Sequence, residues 1–184
     1  DDMGLSPYDA LMDGYEPGLT SDRLDPVFDD LRTWLPELIR DVVSRQAAER
    51  KRAPLIEPAG PFDVKQQKAL SLEVMRLLGF DFDAGRLDES AHPFAGGVPE
   101  DVRLTTRFAP DRLINGLMGT VHETGHARYE QGLPRAWLGQ PVAHARSMAL
   151  HESQSLFFEM QLGAHPGFVR ALVPLLNRQF GGQD

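Results

Sequence analysis

At 184 residues, 41% of them hydrophobic and 25% charged, the chain has the apolar content of a domain with a sizeable core, and its composition is not that of a disordered or fibrous protein. Its formal charge of -8, from 27 acidic against 19 basic residues, argues against a nucleic-acid surface, which needs clustered Lys and Arg, and is accounted for by solubility. Cysteine is absent, so disulfides and thiolate ligands are excluded and any metal must be held by His, Asp or Glu.

The first predicted element is a long amphipathic helix. Leu24, Val27, Phe28, Leu31, Leu35, Leu38, Ile39 and Val42 recur at three- and four-residue steps and form one apolar stripe. Thr20 or Ser21 is placed to cap its start, Asp22 suits its first turn, and Pro36 is expected to kink or divide it. The charged run Glu49-Arg50-Lys51-Arg52 leads into Pro54 and a loop. A second helix is expected from Phe62 or Asp63 to about Leu78, opened by a capping box of Asp63 with Gln66 and stopped at Gly79. The Gly-, Pro- and Asp-rich stretch from Asp81 to Glu100 reads as loop. Val102 to Phe108 then alternates apolar with polar residues and is the best strand candidate. Three helices follow, from about Asp111 to Gln131, about Val142 to Leu162, and Pro166 to Phe180. The fold class is therefore mainly α with a small β-strand element. Trp34, Trp137, Phe157 and Phe158 are expected in the core. No run approaches the roughly 18 apolar residues of a membrane span. The start lacks the basic and apolar regions of a signal peptide, so a soluble, cytoplasmic protein is the expectation.

The chemistry concentrates in His122-Glu123-Thr124-Gly125-His126. Two histidines four residues apart share one helix face, one turn apart, so both imidazoles can reach one ion. Glu123, next to His122, can meet a water on that ion. Leu113, Ile114, Leu117, Met118 and Val121 suggest that this helix is buried, and buried His and Glu side chains need an internal charge partner. Glu152, on the following helix and among apolar neighbours, supplies a carboxylate. It completes a His, His, Glu set with one position open for water, the arrangement of catalytic zinc. In that reading the ion lowers the pKa of water from about 15.7 towards about 7. Glu123 takes the proton and passes it to the leaving amine. The competing reading of Glu152 is an exposed helix residue. His151 is a candidate for orienting a ligand from behind. His144 and His165 read as solvated or capping residues.

Further stretches carry a resemblance. Tyr8-Asp9-Ala10-Leu11 with Asp13-Gly14-Tyr15-Glu16-Pro17-Gly18, His92-Pro93-Phe94, Asp101-Val102-Arg103-Leu104-Thr105-Thr106 and His151-Glu152-Ser153-Gln154 stand, in this order around the H-E-x-x-H motif, as in one known family. The chain resembles the carboxypeptidase Taq family of metallocarboxypeptidases. That resemblance implies a helical metallopeptidase core with a small sheet beside an active-site groove. It implies peptide substrates shortened from the C-terminus, zinc (or cobalt in some members) as cofactor, and a homodimer. By resemblance His122, His126 and Glu152 are the ligands and Glu123 the acid/base. His92, Asp101, Arg103 and Thr105 then map onto motifs lining or supporting the groove. For His92 the alternative is a plain loop histidine, and for Asp101 with Arg103 a structural ion pair.

Family members run to roughly 500 residues, well above single-domain size. The chain is therefore expected to be an internal part of such an enzyme, lacking a long helical N-terminal portion and a C-terminal part. A bidentate guanidinium is the natural clamp for a terminal carboxylate. Arg128, Arg135 and Arg146 read instead as surface or helix residues. Two alternatives stay open: a different H-E-x-x-H peptidase (an oligopeptidase or aminopeptidase), and a helical metal-binding fragment without activity.

Overall fold

The computed structural model describes residues 4–54, 56 and 58–181. The chain divides into two units, Asp1–Ala59 and Gly60–Asp184. As the sequence predicts, it is mainly helical with a small sheet, here of three strands. No helix among the described residues is long and apolar enough to cross a membrane.

In the first unit, helix α1 (Pro7–Asp13) starts with Pro7 in its first turn, and the Ser6 hydroxyl accepts from the Asp9 amide at 3.1 Å. Asp9 Oδ1 in turn accepts from the Ser21 amide at 2.8 Å and the Ser21 hydroxyl at 2.6 Å, which ties α1 to the start of helix α2 (Ser21–Arg52). Those bonds hold the Asp9 carboxyl below its usual range. Helix α2 corrects two expectations. Pro36 does not divide it, because Pro26 and Pro36 both sit inside one continuous helix of 32 residues. Nor is Trp34 in the core as expected: it is 44% exposed, and Ile39 of the apolar stripe is 52% exposed. Local pairs support the helix instead, Arg32 to Asp29 and Arg45 to Asp41, each at 3.0 Å. The cations Arg50, Lys51 and Arg52 complement the last turn.

The second unit is organised around helix α4 (Leu113–Gln131). Helix α3 (Val64–Leu77) is capped by Asp63, which accepts from the amides of Lys65 and Gln66 at 2.9 and 3.1 Å. The Gln66 side chain donates to the Gln179 carbonyl rather than closing a capping box. Strands β1 (Gly85–Glu89), β2 (Phe94–Val98) and β3 (Asp101–Thr106) form a sheet in the order β1-β3-β2, with β1 parallel and β2 antiparallel to β3. β1 and β2 correct the loop reading of 81–100. Neither is rich in β-branched residues, so their conformation comes from pairing with β3, a non-local source that propensity does not register. Gly97, at φ +135°, is placed where a Cβ would meet the Asp101 carbonyl, so the tight β2–β3 turn requires glycine.

Two apolar clusters flank α4. Leu113, Leu117 and Val121 join Leu70 and Val74 of α3, Phe158, and Phe168 and Leu172 of helix α6 (Pro166–Phe180). Ala127 joins Met75, Phe80, Leu87, Val102 and Leu104. A helix enclosed on several sides shows little one-sided patterning, and its buried threonines bond within the helix. The Thr120 hydroxyl donates to the Gly116 carbonyl at 2.9 Å, and that of Thr124 to the Thr120 carbonyl at 2.6 Å. The helix expected from Val142 to Leu162 is shorter and divided. A 3-10 turn covers Pro141–Ala143, α5 (Met148–Leu156) begins where the Ser147 hydroxyl caps the Leu150 amide, and a π-helical turn covers Phe157–Leu162. Phe158 is buried as expected, whereas Trp137 and Phe157 are exposed.

Helix α6 is tied to α3 through Glu73, which accepts from Arg178 Nη2 at 2.6 Å and Gln179 Nε2 at 2.8 Å. The Arg178 bond, then the Gln179 bond, hold the Glu73 carboxyl below its usual range. A carboxyl whose pKa falls on folding contributes stability above its unfolded pKa and loses it as pH drops through the folded value. Arg178 is 58% exposed, so solvent screens the pair. Glu73→Gln is expected to cost about 1 kcal/mol or less at neutral pH. The difference from the parent should shrink as denaturant unfolding is repeated at lower pH.

Candidate metal centre

The site is built where α4 meets α5. His122, Glu123 and His126 come from the middle of α4, Glu152 from α5, and Glu159 from the π turn that continues it. What lets the two helices meet is Gly125. A Cβ there would stand 2.6 Å from the Ser155 Cα and 2.9 Å from the Gln154 carbonyl oxygen, so backbone packs directly on backbone. The glycine lies between His122 and His126 in sequence and opposite the turn that carries Glu152.

The contact brings the three sequence-predicted ligands together. One donor atom from each of His122, His126 and Glu152 lies within 4.8 Å of the others. His126 Nε2 is 3.1 Å from Glu152 Oε2, and His122 Nε2 is 3.9 Å from Glu152 Oε1, so each ring turns the same nitrogen towards one carboxylate. The opposite nitrogens are occupied. His122 Nδ1 donates to Glu159 Oε2 at 2.8 Å, and His126 Nδ1 faces His151 Nδ1 at 2.6 Å. Burial first, then the neighbouring His151 and His122, push the His126 imidazole below its usual pKa, with Glu152 opposing. A neutral ring has a lone pair to offer. Two imidazole nitrogens and a carboxylate oxygen, with no thiolate, fit a zinc-type divalent cation and leave a position for a further ligand.

Glu123 is buried beside this set, and its Oε2 makes no hydrogen bond among the described residues. Burial pushes its carboxyl above the usual range, His122 and His92 pull it back, and Glu152 adds to the rise. An acceptor buried without a partner is costly, so this oxygen calls for a donor other than the described residues.

The other predicted residues divide. His92, exposed, belongs to the turn before β2 and lines a cleft with Thr106, Arg107 and Asn115. Thr105 holds that turn: its hydroxyl lies 2.7 Å from the Ser90 hydroxyl and accepts from the Phe94 amide at 3.2 Å. Asp101 and Arg103 pair with each other at 2.7 Å on the exposed side of β3, and no described bond joins them to the three donors. His165 caps α6, its Nδ1 accepting from the Gly167 amide at 3.0 Å. Sequence reasoning missed Glu130 and Glu159. Glu130 carried a periodic signal, four residues after His126 on the same helix face, whereas Glu159 lies inside the π-helical turn, where regular α spacing does not hold.

Comparison with known proteins places this geometry in context. The family model described as carboxypeptidase Taq (M32) metallopeptidase matches residues 1–184. Thermostable carboxypeptidase 1 of Thermus thermophilus is 41% identical over 174 residues, 94% of this chain and 33% of that protein. Carboxypeptidase 1 of Bacillus subtilis is 42% identical over 163 residues, 88% of this chain and 32% of that protein. Among solved structures, Trypanosoma cruzi metallocarboxypeptidase 1 superposes with a TM-score of 0.91 at 48% identity, covering 100% of this chain and 36% of that one. The chain thus spans about a third of the length of the relatives it matches.

Proposed function

The chain belongs to the carboxypeptidase Taq (M32) family of metallopeptidases, and on that premise we propose that it forms the metal-binding core of a zinc-dependent metallocarboxypeptidase, which releases C-terminal amino acids from peptides. The observation that carries the reading is the convergence of three donor atoms beside a buried carboxylate oxygen with no partner among the described residues. His122, His126 and Glu152 hold the cation. When bound, it supplies the Lewis acidity that makes water a usable nucleophile at neutral pH.

Glu123 carries the proton. Its Oε2 takes up the proton released by the attacking water and then delivers it to the leaving amine nitrogen. Burial favours this role, because a carboxyl raised towards working pH both accepts and returns a proton more readily. Glu159 fixes the ring of His122. His92, carried on the turn that Thr105 braces, lies close enough to Glu123 to bias its charge and lines a cleft with Thr106, Arg107 and Asn115. Asp101 and Arg103 brace β3 through their mutual pair. The homodimer is carried by the family resemblance alone.

Elemental analysis tests the metal. Purified protein is expected to hold zinc stoichiometrically and His126→Ala to lose it, while full-length enzyme releases single residues from the C-terminus of an N-blocked dipeptide. Absence of any bound divalent metal overturns the reading. Internal cleavage or release from the N-terminus overturns its carboxypeptidase part.

A further inference from the structure

Behind His126 runs a second, shielded row of polar groups. His126 Nδ1 meets His151 Nδ1 at 2.6 Å, and His151 Nε2 meets Glu130 Oε1 at 2.8 Å. The side chains of Glu130, His151 and His126 are only 15%, 10% and 13% exposed. The Tyr129 ring, 4.7 Å from that of His151, covers it further. With Glu152 at the front, three short contacts join four groups in series: Glu152, His126, His151, Glu130.

Hydrogen-bond chemistry orders the protons in this row. An ionised carboxylate only accepts, and a neutral imidazole has one donor and one acceptor nitrogen. Glu130 therefore calls for a proton on His151 Nε2, which leaves His151 Nδ1 as an acceptor. The Nδ1–Nδ1 contact is then satisfied only by a proton on His126 Nδ1. That leaves His126 Nε2 with its lone pair towards Glu152 Oε2. The two protons of the two neutral rings fill the two inner contacts, and the outer one, a lone pair against a carboxylate, requires a positive centre. The reverse order would set the bare Nε2 of His151 against Glu130 in a shielded place, where no described Lys or Arg pairs with the carboxylate to compensate.

We propose that Glu130 and His151 are positioning residues that fix both the ring plane and the tautomer of His126, so that its Nε2 lone pair is presented to the metal. The proposal rests on the metallopeptidase reading and goes beyond it by assigning Glu130, which touches none of the three ligand atoms. Glu130 lies one turn after His126 on α4 and His151 beside Glu152 on α5, so the same row also locks the helices together at the site.

The test is a nitrogen-15 spectrum of the zinc-loaded protein, with the imidazole signals assigned by His→Gln substitution. A scalar coupling between the two Nδ1 nuclei, carried through the N–H···N bond, is the expected result, with a proton on His151 Nε2. His151→Phe, which keeps an aromatic ring but removes the acceptor, is expected to weaken zinc binding about 10–100-fold. His151→Gln, whose amide offers both an acceptor oxygen and a donor NH2 group, should restore part of that loss. Coordination of zinc through His126 Nδ1, absence of the coupling, or unchanged zinc affinity in His151→Phe overturns the proposal while leaving the metal site standing. Failure to bind zinc overturns the metallopeptidase reading instead. Should His151→Phe fail to fold, the coupling in the unsubstituted protein decides alone.

Discussion

Glu123→Gln is expected to reduce peptide hydrolysis by the full-length enzyme at least about 10²–10⁴-fold while its zinc content stays unchanged. The amide has almost the shape of the carboxyl but cannot take up the proton of the attacking water. It lies outside the three-donor set, so metal retention should not depend on it. The fold should tolerate the change well. A buried carboxyl whose Oε2 lacks a partner among the described residues gives way to a neutral group, which removes the cost of holding a charge there. The checks are steady-state rates, elemental analysis and thermal unfolding, run side by side. Retained activity would sink the proton-carrying role of Glu123, and lost zinc would mean that it belongs to the ligand set.

Gly125→Ala is expected to damage the site as much as removing a ligand, although it adds a single methyl group to a residue that has no side chain to contribute. That methyl would stand 2.6 Å from the Ser155 Cα, and neither backbone can yield without moving its helix. The strain expected for overfilling a packed contact is about 1–3 kcal/mol. Relief requires α5 to retreat from α4, and Glu152 retreats with it from His126 Nε2, now 3.1 Å away. Zinc affinity should therefore fall by more than the loss of stability accounts for. Gly125→Ser should be worse than Gly125→Ala. Calorimetric zinc titration together with denaturant unfolding separates the two effects. Zinc affinity equal to the parent's would mean that the helix contact does not position Glu152.

The same particulars explain how far the sequence could be read. Helix α6 was legible over its full extent, Pro166–Phe180, and α3 and α4 to within about two residues at each end, because caps and terminal glycines are local signals. β1 and β2 were not legible, since their hydrogen bonds are made with a strand that follows them in the chain. The stripe on α2 announced a helix but not its surroundings. In the site, His122, His126 and Glu123 stand out because helical spacing alone gathers them, and Glu152 follows from chemistry that demands a third donor. Glu130 and Glu159 escaped notice because exposed glutamates are common on helices, and only contacts across two helices distinguish these two.

The turn at Phe157–Leu162 winds wider than an α-helix, and Glu159 reaches His122 from within it. Regular winding would swing whatever follows the wide turn about 100° round the axis for each residue by which the register slips. Engineering the segment for maximal helical order would thus yield a stiffer rod in which the acidic group is re-aimed relative to its imidazole. Local irregularity here is a requirement of the geometry, and a stabilisation campaign guided by helix propensity alone would remove it first.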